Sequence, residues 1–376
     1  MNSIERQPLL LVGVGGAGRT FAAAMAKTPA CAPRTVFADT DAAGSDGLSP
    51  FVLLGGDRLS GRGTGGDMVL GRLAAEDSAT PFASHLEGVR LAVVVAGLGG
   101  GTGGGAAPEL VSQIASHGIP VLVFATMPFS FEGDVKRQKA QRAAIALEEA
   151  ADAFVPLSLD ALSGDPSGFM DDAMARASVA FSGAASLFWR MLEKPGYLKI
   201  DVERARRVVS GAGRGRFAAA TAVSGENRSA GVLEALSSSP LLAAAQTRPA
   251  SILCGILAGS DLRLAEVGEI AEGVRDMFGR SADFNLATVN DEERFGGAIS
   301  AAVLVFESSG AAGDEKDPQG ARGRKSSRRG AGRHAANPLS QAPQGRGRFN
   351  NIEPTVWNGE DLDVPTFVRR NITLDL

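Results

Sequence analysis

The chain has 376 residues, 44% of them hydrophobic and 21% charged, which is enough apolar material for more than one core. No apolar run approaches the roughly 18 residues of a membrane helix, and the N-terminus MNSIERQPLLLVGVGG lacks the basic region and cleavable apolar stretch of a signal peptide. Two cysteines, Cys31 and Cys254, exclude a disulfide framework and fit a reducing cytoplasm.

In chain order, PLLLVGV (8–14) reads as a buried strand, followed by a glycine turn and the Ala-rich helix TFAAAMAK. RTVFAD (34–39) and LAVVVAG (91–97) are further strands, PELVSQIASHG (108–118) is helical, and PVLVFATM (120–127) returns as a strand. Continuous apolar strands alternating with helices predict an α/β fold with a mostly parallel sheet covered on both faces. A long helical stretch before Leu192 is apolar nearly all round, which predicts a buried central helix at 166–195. Beyond Pro195-Gly196, strands at 250–259, 284–291 and 297–307 with a helix at 265–278 predict a second, smaller α/β domain at 196–307. The first domain then occupies 1–165.

At Ser308 the hydrophobicity stops. Residues 308–348 carry nine Lys/Arg against three Asp/Glu, although the whole chain has a formal net charge of −4. Such a segment cannot bury enough apolar surface to offset the entropy of ordering it. It reads as a disordered basic linker of roughly 35 Å root-mean-square reach, whose arginines suit a solvated spacer, nucleic acid or anionic lipid. Residues 349–376 regain specificity in EDLDVPTFVRR.

Two glycine-rich loops carry the chemistry. Gly13-Val14-Gly15-Gly16-Ala17-Gly18 leads into a helix, and Gly97–Gly104 holds six glycines in eight positions with one hydroxyl, Thr102. Loops of this kind let backbone N–H groups converge on phosphate oxygens at a helix N-terminus, where a β-carbon would hold the phosphate away. The first loop alone satisfies the dinucleotide pattern G-x-G-x-x-G, with Asp39 near the position of a ribose-binding carboxylate, so a Rossmann-type oxidoreductase competes. His85, His117 and His334 do not suggest a hydride-transfer centre, and no Walker-type P-loop occurs. Two phosphate loops on different strands of one sheet suggest several phosphates held from both sides. Thr102 has a plainer alternative as a helix N-cap.

These segments resemble the tubulin/FtsZ superfamily, and FtsZ in particular. GLGGGTGGGAAP is similar to the superfamily signature, and LLVGVGGAGRT, ADTDA (38–42), GRGTGG (61–66) and MPFSFEG (127–133) are similar to further nucleotide loops. PGYLKID (195–201), RRVVSGAGRGRFA, SGENR, SSSPLL and GSDLRLAEV continue the resemblance in order. It implies a GTP/GDP-binding protein with Mg²⁺ that polymerises head to tail at the cytoplasmic face of the division septum, with no separate protein-held metal site. Gly101, Thr102 and Gly103 would cradle the β- and γ-phosphates; Gly15, Gly16, Ala17 and Gly18 would meet the α- and β-phosphates; Glu132 would bind the sugar. Leu362, Val364, Pro365, Phe367, Val368, Arg369 and Arg370 resemble the peptide by which FtsZ proteins grip a membrane-tethering partner of FtsA type, without inserting into the membrane themselves. An ordinary FtsZ is a further possible partner.

The departures concentrate in the site. The family's Asn-Asp pair on the central helix aligns with Ser178 and Val179, removing the carboxylate that accepts both guanine N–H groups. Lys136 replaces the family's basic residue after Glu132, and Arg19 and Thr20, further candidates for the nucleotide, stand where asparagines are common; Arg19 either reaches the nucleotide or lies on an exposed helix turn. In the catalytic loop, Asp201 remains, but Arg204 replaces the second carboxylate and Lys199 the usual asparagine. Spacing i, i+3 predicts an Arg204–Asp201 pair, with Glu203 turned about 200° away from Asp201. The resemblance therefore implies weakened GTP hydrolysis. The alternative is a nucleotide-binding scaffold that does not turn nucleotide over and copolymerises with an ordinary FtsZ.

Overall fold

The computed structural model describes residues 8–27, 33–45, 47, 50–163, 169–193, 196–239 and 249–307, with the backbone of a small hairpin pairing Val356–Trp357 with Glu360–Asp361. Cys31, Pro195, the linker 308–348 and the tail anchors Leu362, Val364, Pro365, Phe367, Val368, Arg369 and Arg370 lie outside the described residues. The described residues up to Glu307 belong to one compact unit, and the hairpin belongs to a second.

Strands β1 (Leu9–Val14), β2 (Arg34–Asp39), β3 (Phe51–Leu53), β4 (Leu91–Gly97), β5 (Val121–Met127) and β6 (Ala153–Ser158) are parallel, in spatial order β3-β2-β1-β4-β5-β6. β6 joins β7 (Gly213–Ser224) through two parallel residue pairs, Ala153 with Gly213 and Phe154 with Arg214. The sheet continues through β10 (Ala298–Glu307), β8 (Pro249–Ala258) and β9 (Asp283–Asn290). β10 is antiparallel to both neighbours, whereas β8 and β9 are parallel. The two α/β halves expected from the sequence thus share one ten-stranded sheet.

Central strands such as LLLVGV are buried along their whole length because helices cover both faces. On one face lie α1 (Gly15–Ala26) and α5 (Met170–Glu193), where Phe21 and Phe124 meet Phe181 edge-on at 5.3 and 5.7 Å. The other face packs against α2 (Met68–Asp77), α3 (Ala107–Ser116) and α4 (Asp134–Ala150). α6 (Val202–Val209) precedes β7, and α7 (Arg228–Ser237) and α8 (Leu264–Phe278) cover the second half of the sheet.

The central helix corrects one expectation. Every residue from Ala184 to Leu192 is buried, but the N-terminal half buries only Ala177 before Phe181, and Val179 is 70% exposed. Composition alone could not separate the two halves, because Met170, Val179 and Phe169 are apolar yet exposed.

Candidate functional site

The spatial order of the six parallel strands reverses between β1 and β4, and both glycine loops leave from the carboxyl ends of these neighbours. A crevice outside such a switch point is where open α/β sheets bind ligands. Gly15 opens α1 with φ +71, a conformation that glycine alone adopts readily. The second loop passes from Gly101 through a π-helical turn, Thr102–Ala106, into α3. Two helix N-termini, with unsatisfied N–H groups and positive dipole ends, therefore converge on one spot.

Most glycines in the loops, Gly103 among them, serve close protein packing and not, as the sequence leads one to expect, room for a phosphate. A β-carbon at Gly103 would fall on the carbonyl oxygen of Gly97, and one at Gly18 on that of Val95. At Gly101 it would strike Thr64, from the loop GRGTGG, and at Gly97 it would lie 2.5 Å from Ala17 Cβ. Gly16 and Gly100 differ: a β-carbon there meets nothing within 4 Å. These are the positions where bare backbone faces open space.

Thr102 does not act as an N-cap: the cap position of this turn is Gly101, and the Thr102 hydroxyl is engaged elsewhere. Its hydroxyl lies 2.7 Å from that of Thr40, a fully buried residue immediately after β2. Arg19 points away from a phosphate role as well. Its Nε donates to Asp39 Oδ2 at 2.6 Å and its guanidinium also reaches the Gly44 carbonyl, so Asp39 is occupied by an ion pair. Thr20 Oγ1 donates back to the Gly16 carbonyl at 3.0 Å. Glu132 accepts from the Phe129 N–H at 2.9 Å and pairs with Lys136, whose stem crosses Gly99. Lys139 Nζ ties the third loop down through the Gly66 carbonyl at 2.9 Å.

Thr126 was not singled out from the sequence. Its hydroxyl is buried, has no hydrogen-bond partner among the described residues, and would lie 3.3 Å from a β-carbon at Gly97. A buried unpaired hydroxyl beneath two convergent helix starts fits a site built for a polar ligand. Its signal in the sequence was its place, directly before MPFSFEG. Val179 offers no acceptor, and Ser178 is half-buried.

The second candidate cluster sits at the other end of the strands. Glu203 Oε1 accepts from Arg90, just before β4, at 2.5 Å; Arg206 donates to the Gly118 carbonyl, before β5, at 3.1 Å. Asp152, before β6, accepts from the Gly211 N–H at 3.2 Å. α6 is thereby fixed at the amino ends of the strands whose carboxyl ends carry the glycine loops. The seven residues of β4 put about 23 Å between them. Asp201 therefore cannot serve its own chain's loops.

The expected Arg204–Asp201 side-chain pair is absent. Asp201 caps α6 by accepting from the Arg204 backbone N–H at 2.7 Å, and the Arg204 Nε donates instead to Asn285 Oδ1 on β9 at 2.7 Å. An N-cap turns its carboxylate toward the first backbone donors of the helix, leaving the guanidinium free to find a partner elsewhere. Glu203 is held by Arg90 and, at 3.7 Å, by Arg206.

Loops at a switch point, backed by two helix starts, have the geometry with which α/β proteins bind phosphate. Residues 8–165 match the GTPase domain of the Tubulin/FtsZ family. A cell division protein FtsZ 2 of Rhizobium meliloti is 31% identical over 292 residues, covering 76% of this chain and 84% of that protein. A cell division protein FtsZ of Methanothermobacter thermautotrophicus is 31% identical over 275 residues, 72% of each chain. Among solved structures, an FtsZ dimer of M. jannaschii superposes with TM-score 0.73 at 24% identity, over 79% of this chain and 87% of that one. A GTPγS-bound protofilament of CetZ2 from Haloferax volcanii gives 0.68 at 25%, over 80% and 92%. The chain belongs to the Tubulin/FtsZ family. It is an FtsZ-like cytoskeletal protein carrying that family's guanine-nucleotide GTPase domain. The oxidoreductase alternative falls with this match: the strand order is shared with Rossmann folds, but Asp39 is spent on Arg19. No helix among the described residues is long and apolar enough to cross a membrane.

Proposed function

We propose that this protein binds GTP with Mg²⁺ at the carboxyl ends of β1, β4 and β5 and assembles head to tail into filaments that act in cell division at the septum. The observation that carries this reading is the opposed placement of the glycine loops and Asp201 at the two ends of the same strands. A site completed by the opposite end of another copy is heterologous, and such contacts propagate as open filaments. Gly15, Gly16, Ala17, Gly18, Gly101, Thr102 and Gly103 line the phosphate side through backbone N–H groups, with Glu132 and Lys136 at its rim. Thr102 holds the loop to Thr40, and Arg19 holds the neighbouring loop through Asp39.

Hydrolysis is slow in this reading. Arg204 stands where a second carboxylate would help position the attacking water, and Asn285 keeps its guanidinium in place. The same observation favours a second reading, a scaffold that binds nucleotide without turnover and copolymerises with an ordinary FtsZ. One experiment separates them: identify the nucleotide retained on purification, then follow sedimentation and phosphate release with GTP, ATP or neither. Sedimentation with GTP and slow release supports the first reading. Sedimentation without release supports the second, and no response to either nucleotide removes both.

Discrimination between guanine and adenine should be weak, because no carboxylate stands on the central helix where the family binds the base. Val179→Asp places one at an exposed position. It is expected to raise the GTP-over-ATP preference by about tenfold or more, since a charge-assisted acceptor contributes about 1.5–3 kcal/mol. Titration of both nucleotides against both variants checks it, and an unchanged ratio would show that the base does not meet α5 there.

The tail 349–376 fits a docking peptide on a long tether, with Leu362, Val364, Pro365, Phe367 and Val368 as anchors and Arg369 and Arg370 supplying charge. Its partner is a membrane-tethering division protein of FtsA type. Deleting 349–376 should leave sedimentation with GTP intact and abolish recruitment to the septum in cells. A truncated protein that aggregates or cannot polymerise would make the tail part of the core.

A further inference from the structure

The segment from Gly196 to Asp201 is pinned to β9. Leu198 donates its N–H to Thr288 Oγ1 at 2.9 Å and accepts from the Thr288 N–H at 2.8 Å. Gly196 lies so close to Thr288 that a β-carbon would fall on its carbonyl oxygen. Ile200 is 5% exposed and faces the core, while Lys199 and Asp201 on either side are exposed. Asp201 itself is extended, with φ −78 and ψ 166. Alternation along an extended chain puts the Lys199 ammonium and the Asp201 carboxylate on one outward side.

The cations at this end of the molecule have unequal freedom. Arg90 and Arg206 are committed to Glu203, Arg204 to Asn285, and Arg214 to Glu148 at 3.1 Å. Among the described residues, Lys199, like Arg207 farther along α6, has no hydrogen bond or ion pair. It is an exposed, unpaired ammonium on a backbone anchored to β9, and it flanks the carboxylate that a head-to-tail contact would present to the neighbouring subunit.

We propose that Lys199 binds, in trans, the terminal phosphate of the nucleoside triphosphate held by the adjacent subunit. This rests on the head-to-tail reading above. An ammonium binds a phosphate as a point charge and orients no water. Its contribution therefore falls on the subunit contact: the interface is strengthened when a γ-phosphate is present and loses that contact when only diphosphate remains. Triphosphate-dependent assembly is thereby uncoupled from fast turnover.

The test compares full-length wild type with Lys199→Gln, Lys199→Arg and Arg207→Gln, the last removing an exposed cation farther along α6. Sedimentation thresholds are measured with GTP, with a slowly hydrolysed GTP analogue and with GDP, each at low and high salt. Nucleotide affinity is also measured on dilute, unassembled protein. Lys199→Gln is expected to raise the triphosphate threshold about tenfold, as for loss of one charge-assisted hydrogen bond. Its GDP threshold and its affinity as a monomer should stay unchanged, its salt sensitivity should fall, and Lys199→Arg should remain near wild type. Arg207→Gln should shift all nucleotide states alike. Equal shifts of the GTP and GDP thresholds in Lys199→Gln, or no shift, would overturn the assignment of Lys199 while leaving the filament reading intact. A wild type that never sediments in a triphosphate-dependent way would overturn the filament reading, and this inference with it.

Discussion

Gly103→Val is expected to abolish nucleotide binding by deforming the loop, and the protein should lose stability along with affinity. The added side chain would overlap the Gly97 carbonyl, where backbone meets backbone and neither can yield cheaply. Overpacking of this kind costs about 1–3 kcal/mol or more. Loss of binding at Gly103 therefore does not by itself locate the phosphate. Gly16→Val and Gly100→Val do, because a β-carbon at either meets nothing within 4 Å. These two variants should melt at nearly the wild-type temperature yet lose at least about tenfold in GTP affinity, equivalent to about 1.4 kcal/mol. Thermal melts without nucleotide, paired with affinity titrations, check both halves. Wild-type affinity in Gly16→Val and Gly100→Val would remove phosphate from these loops, and a stable, fully binding Gly103→Val would contradict the packing account.

The same contrast explains what could be read in the sequence. LLLVGV, LAVVVAG and VLVFATM are unbroken apolar runs between helices, and such runs have few alternatives to a buried parallel strand. β7, GRGRFAAATAVS, is hard to recognise from sequence, because its arginines, glycines and small alanines carry a weak strand signal. α4 buries only Ala140, Ala143 and Leu147 of its seventeen residues, too few for a conspicuous apolar stripe. The glycine loops were visible as loops, but the purpose of each glycine was not. Whether a missing side chain makes room for a ligand or for Gly97, Val95 or Thr64 depends on neighbours brought together by the fold.

Side-chain partners were the least legible. Thr102 meets Thr40 from 62 residues away, Arg19 meets Asp39 from 20 residues away, and Arg204 finds Asn285 from 81 residues away. Spacing along one helix suggested that Arg204 should take Asp201. The better local signal was an aspartate immediately before a helical stretch, which marks an N-cap and commits its carboxylate to backbone.

That distinction changes what variants of the catalytic loop should do. If Asp201 were locked to the Arg204 guanidinium, Arg204→Ala would be enough to release it and speed hydrolysis. Because Asp201 holds only the backbone N–H of Arg204, Arg204→Ala should leave turnover near wild type. Arg204→Asp adds a carboxylate one helical turn from Asp201, and should raise turnover by roughly tenfold or more, each 1.4 kcal/mol of barrier giving a factor of ten. Asp201→Asn keeps a good cap but removes the charge, so it should lose most turnover at an unchanged melting temperature. Asp201→Ala should lose turnover and also about 1 kcal/mol of stability with the cap. All these changes in rate should appear only above the polymerisation threshold, since the helix that Asp201 caps is tied to the amino end of β4, about 23 Å from the glycine loop at its carboxyl end. Phosphate release from the four variants, measured on both sides of that threshold, decides the matter. Faster release from Arg204→Ala would restore the locked pair. Slower release would make Arg204 a transition-state cation in its own right, and would require its guanidinium to leave Asn285 when subunits meet.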